Sequence, residues 1–541
     1  MWALLLGFYD ATGAAGLSGL GNVASVAFAD LDGDGDLDLV MGSAENNGIR
    51  IMRNNAGRFQ DITREVLPGH LPAILGLTVW DMDYDGIPEI IGANAHIGSR
   101  LIYLKFQNGS YSDISGKLGF TGNRSTRRVL VMDANCDDVP DLIEINTSLI
   151  NEPGHRLWVR TDRGFVDETP ADLQQMAGDG FSGTVCDVNN DGFPDLILSQ
   201  KDMGTAVMKG AGDGSLSRLF DPIQGEHTGI AAGDWDGNGF VDLFVCTSAG
   251  GMLLANNKGH FTEATSEAGL SGLPGLRDAS FADVDNDGDP DLVLLDNSGR
   301  ILLMCNERGV FVDRSESQGI TGRGFKTFAL GDYDSDGDLD LLLAGANGLK
   351  LLENTCSGPG SNLILNNSLP GDRITVFRGD TGWCWQAGFS TNSLSQGADG
   401  ISLGQSADSV VIDWVCLNQR RRISYPGGGK TIVISAPRQA QQSTKEALAD
   451  TSLKIVPNPA FGSAGLVYIV ERSAKVELRI VEPSGKTVKL LENAVKSPGT
   501  YWVFWDGRDE AGRLMPRGVY FVNLSLDGLN CRKKLVWLPG G

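Results

Sequence analysis

The chain has 541 residues, 68 acidic against 45 basic side chains, and a formal charge of −23. That balance argues against nucleic acid as a partner, whose phosphates would be repelled, and the length allows several hydrophobic cores. No apolar run approaches the roughly 18 residues of a membrane-spanning helix, and eight cysteines without a CxxC pair give no metal or redox motif.

Read from its start, the chain first shows a Phe-x-Asp-x-Thr element at Phe8, Asp10 and Thr12. The apolar patch MWALLL before it lacks a basic stretch and a cleavage site, so it does not read as a signal peptide. The expectation is a native chain that begins further upstream. Residues 30–38, DLDGDGDLD, then introduce a unit that returns six more times at spacings of 47 to 54 residues. The later copies start at Asp81, Asp133, Asp187, Asp234, Asp283 and Asp332.

An acid or amide fills the first, third and fifth places and an acid the ninth, usually with Gly at the sixth. Hard cations such as Ca²⁺ take six to eight oxygen ligands, and alternate side chains of a tight loop converge on one point when a Gly permits the bend. The pattern predicts calcium loops, with side-chain oxygens from places one, three, five and nine and a backbone carbonyl from place seven. A polar turn between strands would explain one such loop equally well; seven copies in phase favour the ion.

The loops differ in charge. The first (Asp30, Asp32, Asp34, Asp38), the sixth (Asp283, Asp285, Asp287, Asp291) and the seventh (Asp332, Asp334, Asp336, Asp340) carry four Asp ligands each. They add an Asp at place seven: Asp36, Asp289 and Asp338. With the second loop (Asp81, Asp83, Asp85, Glu89), these are expected to bind best. The fourth (Asp187, Asn189, Asp191, Asp195) and the fifth (Asp234, Asp236, Asn238, Asp242) each have one charge fewer, which weakens them. The third (Asp133, Asn135, Asp137, Asp141) puts Asp138 where the turn wants Gly, which predicts strain or an empty site.

Each loop follows a strand of small residues, such as SVAFAD or GIAAGD, and precedes an unbroken apolar strand, such as DLVMG, DLILS or DLLLA. Unbroken runs bounded by turn signals read as strands buried on both faces. A third strand and a fourth carrying Phe-x-Asp-x-Thr or a relative complete the unit, as at 59–63, 111–115, 165–169, 261–265 and 311–315. Four strands in about 50 residues is the period of a propeller blade, whose inner strands converge on an axis and need small side chains. The seventh loop has no Phe-x-Asp-x-Thr after it, whereas the element at 8–12 precedes every loop. The N-terminal strand is therefore expected to complete the last blade, closing a ring of seven blades over residues 1–357 and removing its open edges. Cys136 and Cys186, in and beside loops, read as small buried fillers.

These repeats resemble FG-GAP/VCBS repeats, the calcium-loop propeller repeats of integrin α-subunit heads and of many bacterial surface proteins. The resemblance implies calcium loops on one face of the propeller and ligands engaging the other.

From 358 to 436 the repeat stops. Ser393, Leu394, Ser395 and Gln396, the pair Leu403-Gly404 and residues 410–414 resemble a shortened ASPIC/UnbV domain, with strand patterns around Ile374 and Val410. Arg420, Arg421 and Arg422 read as a solvated strand end, and Cys384 and Cys416 leave their pairing open. Residues 437–450, polar and free of aromatics, read as a linker. Residues 451–541 show alternating strands. Trp505-Asp506-Gly507-Arg508-Asp509, Gly512 and the run 516–521 resemble the Ig-like module of flagellar hook-capping proteins and the C-terminal sorting domains of type IX secretion cargo. The Asp-Gly pair reverses the chain there, and Gly518 is expected to ease the turn into the next strand. The fold expected is all-β: a seven-bladed propeller with calcium loops, a small β region and an Ig-like sandwich.

The five histidines, His70, His96, His155, His227 and His260, have no zinc spacing, and neither GxSxG nor a Walker loop occurs. Carboxylates committed to a cation are poor general bases, so the chain is expected not to be an enzyme. It reads as a secreted or cell-surface binding or adhesion module with up to seven Ca²⁺; a surface scaffold and an accessory part of a polysaccharide-active enzyme are the alternatives. Loops of this kind fill at roughly 10⁻⁴ to 10⁻³ M, a range met outside the cytosol. The expected partners are an extracellular protein or glycan, with the secretion machinery engaging the C-terminal domain. The ligand surface would comprise residues 44–48, 95–99 and 148–155 and the fourth-to-first connections. Arg124, Arg127 and Arg128 stand out there for an anionic sugar or carboxylate.

Overall fold

The computed structural model describes residues 7–355 apart from 44–47, 68, 70, 95–99, 121–123, 148–153, 177 and 220–222. It also describes separate strands between 362 and 435 and most of 453–538. The chain divides into two units, Met1–Gln441 and Gln442–Gly541.

Between residues 8 and 354 the described chain forms seven four-stranded antiparallel sheets. In blade 1 the innermost strand Val23–Ala29 pairs with Asp38–Ser43, followed by Ile49–Asn55 and Arg58–Asp61. Blades 2 to 6 repeat this order from Gly76–Trp80, Thr126–Met132, Gly180–Cys186, His227–Gly233 and Leu276–Ala282. Blade 7 starts at Phe325–Gly331, and its outer strand is the N-terminal Phe8–Asp10, paired with Gly348–Asn354 so that Phe8 faces Asn354. The innermost strands of blades 1 to 6 are neighbours in order. That of blade 7 lies against blade 1's innermost strand and the second strand of blade 6. The ring is closed, by the strand that the N-terminal motif predicts.

Second strands such as Asp195–Gln200 and Asp340–Gly345 are buried along their whole length, because both faces meet neighbouring blades. The apolar clusters accordingly lie between sheets. Phe28, Met41, Met52 and Phe59 of blade 1 pack with Ala329, Leu342 and Leu351 of blade 7. Each such large side chain stabilises the ring by about 1.5–3 kcal/mol.

The Phe-x-Asp-x-Thr element has a physical reason. Its Phe is buried at Phe59, Phe165 and Phe311. Its last hydroxyl, on Thr12, Thr63, Ser115, Thr169, Thr265 or Ser315, accepts a backbone N–H of the third strand. Blade 4 lacks the motif. There buried Leu216 takes the Phe place, and of the two bonds only the backbone one is kept, Leu219 N–H to the Val207 carbonyl, as Ile62 N–H to Ile51 in blade 1.

Between 362 and 435, Gly400–Ser402, Asn362–Asn366 and Ile432–Ser435 form one sheet. Thr381–Gln386, Arg373–Arg378, Ser409–Trp414 and Gln419–Ser424 form another, with the Arg420 to Arg422 run on its edge strand. Cys416 and the linker 437–450 lie outside the described residues.

In the second unit, Leu453–Phe461 pairs antiparallel with Ser463–Val470 and, at Ala460 and Phe461, parallel with Leu529–Leu538, joining the two halves of the sheet. Seven strands form one hydrogen-bonded order, Thr487–Lys496, Ala474–Val481, Gly518–Leu526, Leu529–Leu538, Leu453–Phe461, Ser463–Val470 and Gly499–Trp505, around a core of Leu466, Tyr468, Leu478, Trp505, Val522 and Trp537. Gly507 is its constrained glycine: φ is +73°, and a Cβ there would lie 1.8 Å from the Trp537 ring. Gly518, expected to carry that role, has no positive φ and only Tyr520 within 4 Å of an added Cβ.

Candidate divalent-cation loops

Each acidic loop joins the innermost strand to the second strand and is built by its own backbone. The place-six N–H donates to the place-one carboxylate in all seven loops, at 2.9–3.1 Å. That turn needs positive φ at places four and six, which Gly33 and Gly35 supply in the first loop. The third loop makes the same turn without glycine, with Cys136 at φ 52° and Asp138 at φ 69°. The expected strain is therefore present, yet the loop keeps its hydrogen bonds.

The place-nine acid is the hub. One of its oxygens accepts the place-two N–H at 2.8–3.1 Å in every loop. In six blades the other oxygen accepts a backbone N–H of the third strand, from Asn54, Arg160, Gly210, Asn256, Asn306 or Asn354. These acids are buried. Without an ion, burial pushes Asp38 and Glu89 up to about 7, Asp141 and Asp195 up to about 8, and Asp242 and Asp340 well above the carboxylate range. Neighbouring loop acids add to the effect.

Carboxylate oxygens converge on common points. In the first loop those of Asp30, Asp32 and Asp38 lie within 4.8 Å of one another; in the second, Asp81, Asp83 and Asp85; in the fifth, Asp234, Asp236 and Asp242; in the sixth, Asp283, Asp285 and Asp287. An all-oxygen donor set of this kind fits a hard divalent cation. Places one, three, five and nine would hold it. At place seven the side chains turn elsewhere: Asp36 accepts the Ala56 N–H at 2.9 Å, and Asp338 accepts from Asn286 of the sixth loop at 2.7 Å.

Sequence reasoning missed the side chain that the third strand sets beside several of the loops. In blade 2 this is Lys105, whose Nζ donates to Asp83 at 2.6 Å, Asp85 at 2.9 Å and Glu89 at 2.8 Å. Burial works against its charge, but the hydrogen bonds to Asp83 and Glu89 prevail and hold its pKa above the usual lysine range. The second loop, expected among the strongest binders, thus already encloses a cation. In blade 1 the same strand position is Arg53, 3.0 Å from Asp32, and in blade 4 Lys209, 2.7 Å from Asp191. Cys305 takes the position in blade 6, beside Asp285 and Asp291, and Glu353 in blade 7. The sequence signal is weak, since these residues lie some 20 positions beyond their loops.

The next residue ties blades together. Asn306 of blade 6 donates to the Trp235 carbonyl of the fifth loop at 3.0 Å, and its own oxygen accepts the Gly309 N–H. Asn54, Asn256 and Asn354 reach the Tyr333, Val188 and Val284 carbonyls of the preceding loops in the same way. Arg160 replaces the Asn in blade 3, donating to Met82, and the Gly214 N–H serves in blade 4. In blade 2 the place is held by Phe106, packed in the cluster of blades 1 and 2. An Asn-x-x-Gly-x-Phe pattern marks three of these latches in the sequence.

Arg124, Arg127 and Arg128 do not form an exposed anion site. Arg124 is buried over the Trp158 ring and pairs with Glu144 at 3.4 Å and Asp167 at 3.5 Å. Arg127 lies over Phe181 and 3.8 Å from Asp179. Arg128 is buried, and desolvation draws its pKa down to about 10 despite the charge of Asp278. Most of the residues in 44–48, 95–99 and 148–155 lie outside the described residues. His155 and His227 are buried and bonded internally, to Asn146 and Thr205.

Fold and loops together define a β-propeller whose blades carry acidic, cation-ready loops. Its repeats match the FG-GAP-like repeat at residues 30–92, 187–245, 234–294 and 283–343, and residues 460–528 match the FlgD Ig-like domain. The third repeat, with its altered turn, falls outside these matches. No curated protein matches the chain. Among solved structures it is similar to the BP39L lectin from Burkholderia pseudomallei, at 13% identity and TM-score 0.44 over 63% of this chain and 97% of that one. It is similar to BBS1N in complex with ARL6DN, at 13% and 0.42 over 65% and 97%. It is also similar to an Agrocybe aegerita lectin that recognises non-reducing terminal N-acetylglucosamine, at 17% and 0.39 over 68% and 100%.

Proposed function

We propose that the chain is a non-catalytic binding module of the cell exterior, a propeller platform made competent by calcium in its loops. The observation that carries this reading is the fifth loop. Asp234, Asp236 and Asp242 bring carboxylate oxygens within 4.8 Å of one another, and two of the three residues are buried. Like charges held that closely out of water need a counter-ion, and an all-oxygen set favours Ca²⁺. Weak loops of this class fill where calcium is millimolar, which supports an extracellular setting. The platform would present its opposite face to a protein or glycan. Internal hydrogen bonding of His155 and His227 supports a role without catalysis. In this reading 358–436 is a shortened ASPIC/UnbV-like region and the second unit a sorting module that the secretion machinery recognises.

The test is a thermal melt of the full chain in 2 mM Ca²⁺ and in metal-free buffer. With dissociation constants of about 10⁻⁴ M, each filled loop stabilises by about 2 kcal/mol. Several together raise Tm on the order of 10 °C. Superimposable melts would end the reading.

A further inference from the structure

The seven loops share one backbone but differ in what the third strand places beside their acids. Ala255 stands at that position in blade 5 and brings no charge. Lys105 stands there in blade 2, and its ammonium donates all three of its hydrogens to loop carboxylates, at 2.6, 2.9 and 2.8 Å. Only 17% of the lysine side chain is exposed, and that of Glu89 is 1% exposed. Blade 2 is also the one with an acid a methylene longer at place nine. That length lets Glu89 hold the Met82 N–H with one oxygen and Lys105 with the other.

We propose that Lys105 is the resident cation of the second loop, standing where the other loops would take a divalent ion, so that blade 2 binds no calcium. This rests on the calcium reading above and refines it: in blade 2 a counter-charge shared by three of the four loop carboxylates would be part of the chain rather than drawn from the medium. Like a divalent ion, the −NH₃⁺ group gathers several carboxylate oxygens around one positive centre, but through hydrogen bonds rather than coordination. It cannot be removed by chelation. A Ca²⁺ entering the loop would have to displace it from three carboxylates at once.

The test counts bound ions by equilibrium dialysis of the full chain against ⁴⁵Ca²⁺ at millimolar concentration. Lys105→Met should take up one more ion per chain than the unmodified protein. Asp83→Asn in the otherwise unmodified chain should take up as many as before, whereas the matched Asp236→Asn in blade 5 should take up one fewer. Should Lys105→Met not fold, the comparison of the two Asp→Asn variants decides alone. Equal uptake by folded Lys105→Met and the unmodified chain, or loss of an ion in Asp83→Asn, overturns the proposal. Uptake by no loop in any variant overturns the calcium reading, and this proposal with it.

Discussion

Replacing Asn306 by Ala tests whether the blades are held by the latch as well as by apolar packing. The side chain is 1% exposed. It donates to the Trp235 carbonyl at 3.0 Å and the Pro290 carbonyl at 3.3 Å, and accepts the Gly309 N–H at 2.7 Å. Alanine keeps the backbone N–H that donates to Asp291 but removes all three side-chain bonds. A buried polar group left unpaired costs about 1–3 kcal/mol, and alanine takes a partner from the two carbonyls and from the Gly309 N–H together. The expected loss is therefore about 3–5 kcal/mol, a fall of roughly 5–8 °C in Tm for a domain of this size. Urea unfolding in millimolar Ca²⁺ measures it, with the m-value checking that the same surface is exposed. A change below about 1 kcal/mol would show that the latch is incidental and that packing alone seals the ring.

Two further outcomes follow from the loops. The place-nine acids have folded-state pKa values above those of an unfolded Asp or Glu, about 4, so the ion-free folded chain holds protons that the unfolded chain has released. Their stabilising contribution is present in full below about pH 4. It is lost as pH rises through about 7 at Asp38 and Glu89 and about 8 at Asp141 and Asp195. In metal-free buffer Tm should fall between pH 5.5 and 8, and millimolar Ca²⁺ should suppress the fall; a metal-free Tm that rises over this range contradicts the assignment. Separately, Asp138→Gly relieves a left-handed residue at φ 69°. It should stabilise the chain by about 1 kcal/mol, seen as a Tm rise of 1–2 °C, whereas a lower Tm would mean that the Asp138 side chain holds something the turn needs.

Much of the propeller is legible in the sequence because its determinants are local. Ligand spacing, the glycine at place six and the Phe-x-Asp-x-Thr turn each act within a dozen residues, and their phase places Phe8–Asp10 in the last blade. What one-dimensional reading hides is partnership across strands. Arg124, Arg127 and Arg128 look like an uncompensated basic group until Glu144, Asp167, Asp179 and Asp278 arrive from other strands. No motif singles out Lys105 in the sequence, and only the pairing of Ile90 with Leu104 brings it over the second loop. The acids at place seven fit the ligand pattern by type, yet Asp36 and Asp338 serve the hairpin of their own blade and the neighbouring loop. Gly507 and Gly518 are chemically alike in the sequence; only the Trp537 ring distinguishes them.

The strand that completes blade 7 comes from the opposite end of the propeller sequence, and Gly7 meets Thr355 across 348 positions. Six sheets can assemble from neighbouring segments as the polypeptide emerges, but the seventh stays one strand short until residues on both sides of the gap exist. Such a distant pairing is slow to find, although its entropic cost grows only logarithmically with separation. Until then the Gly348–Asn354 edge is unsatisfied, and a second copy of the chain could offer its own Phe8–Asp10 to fill it.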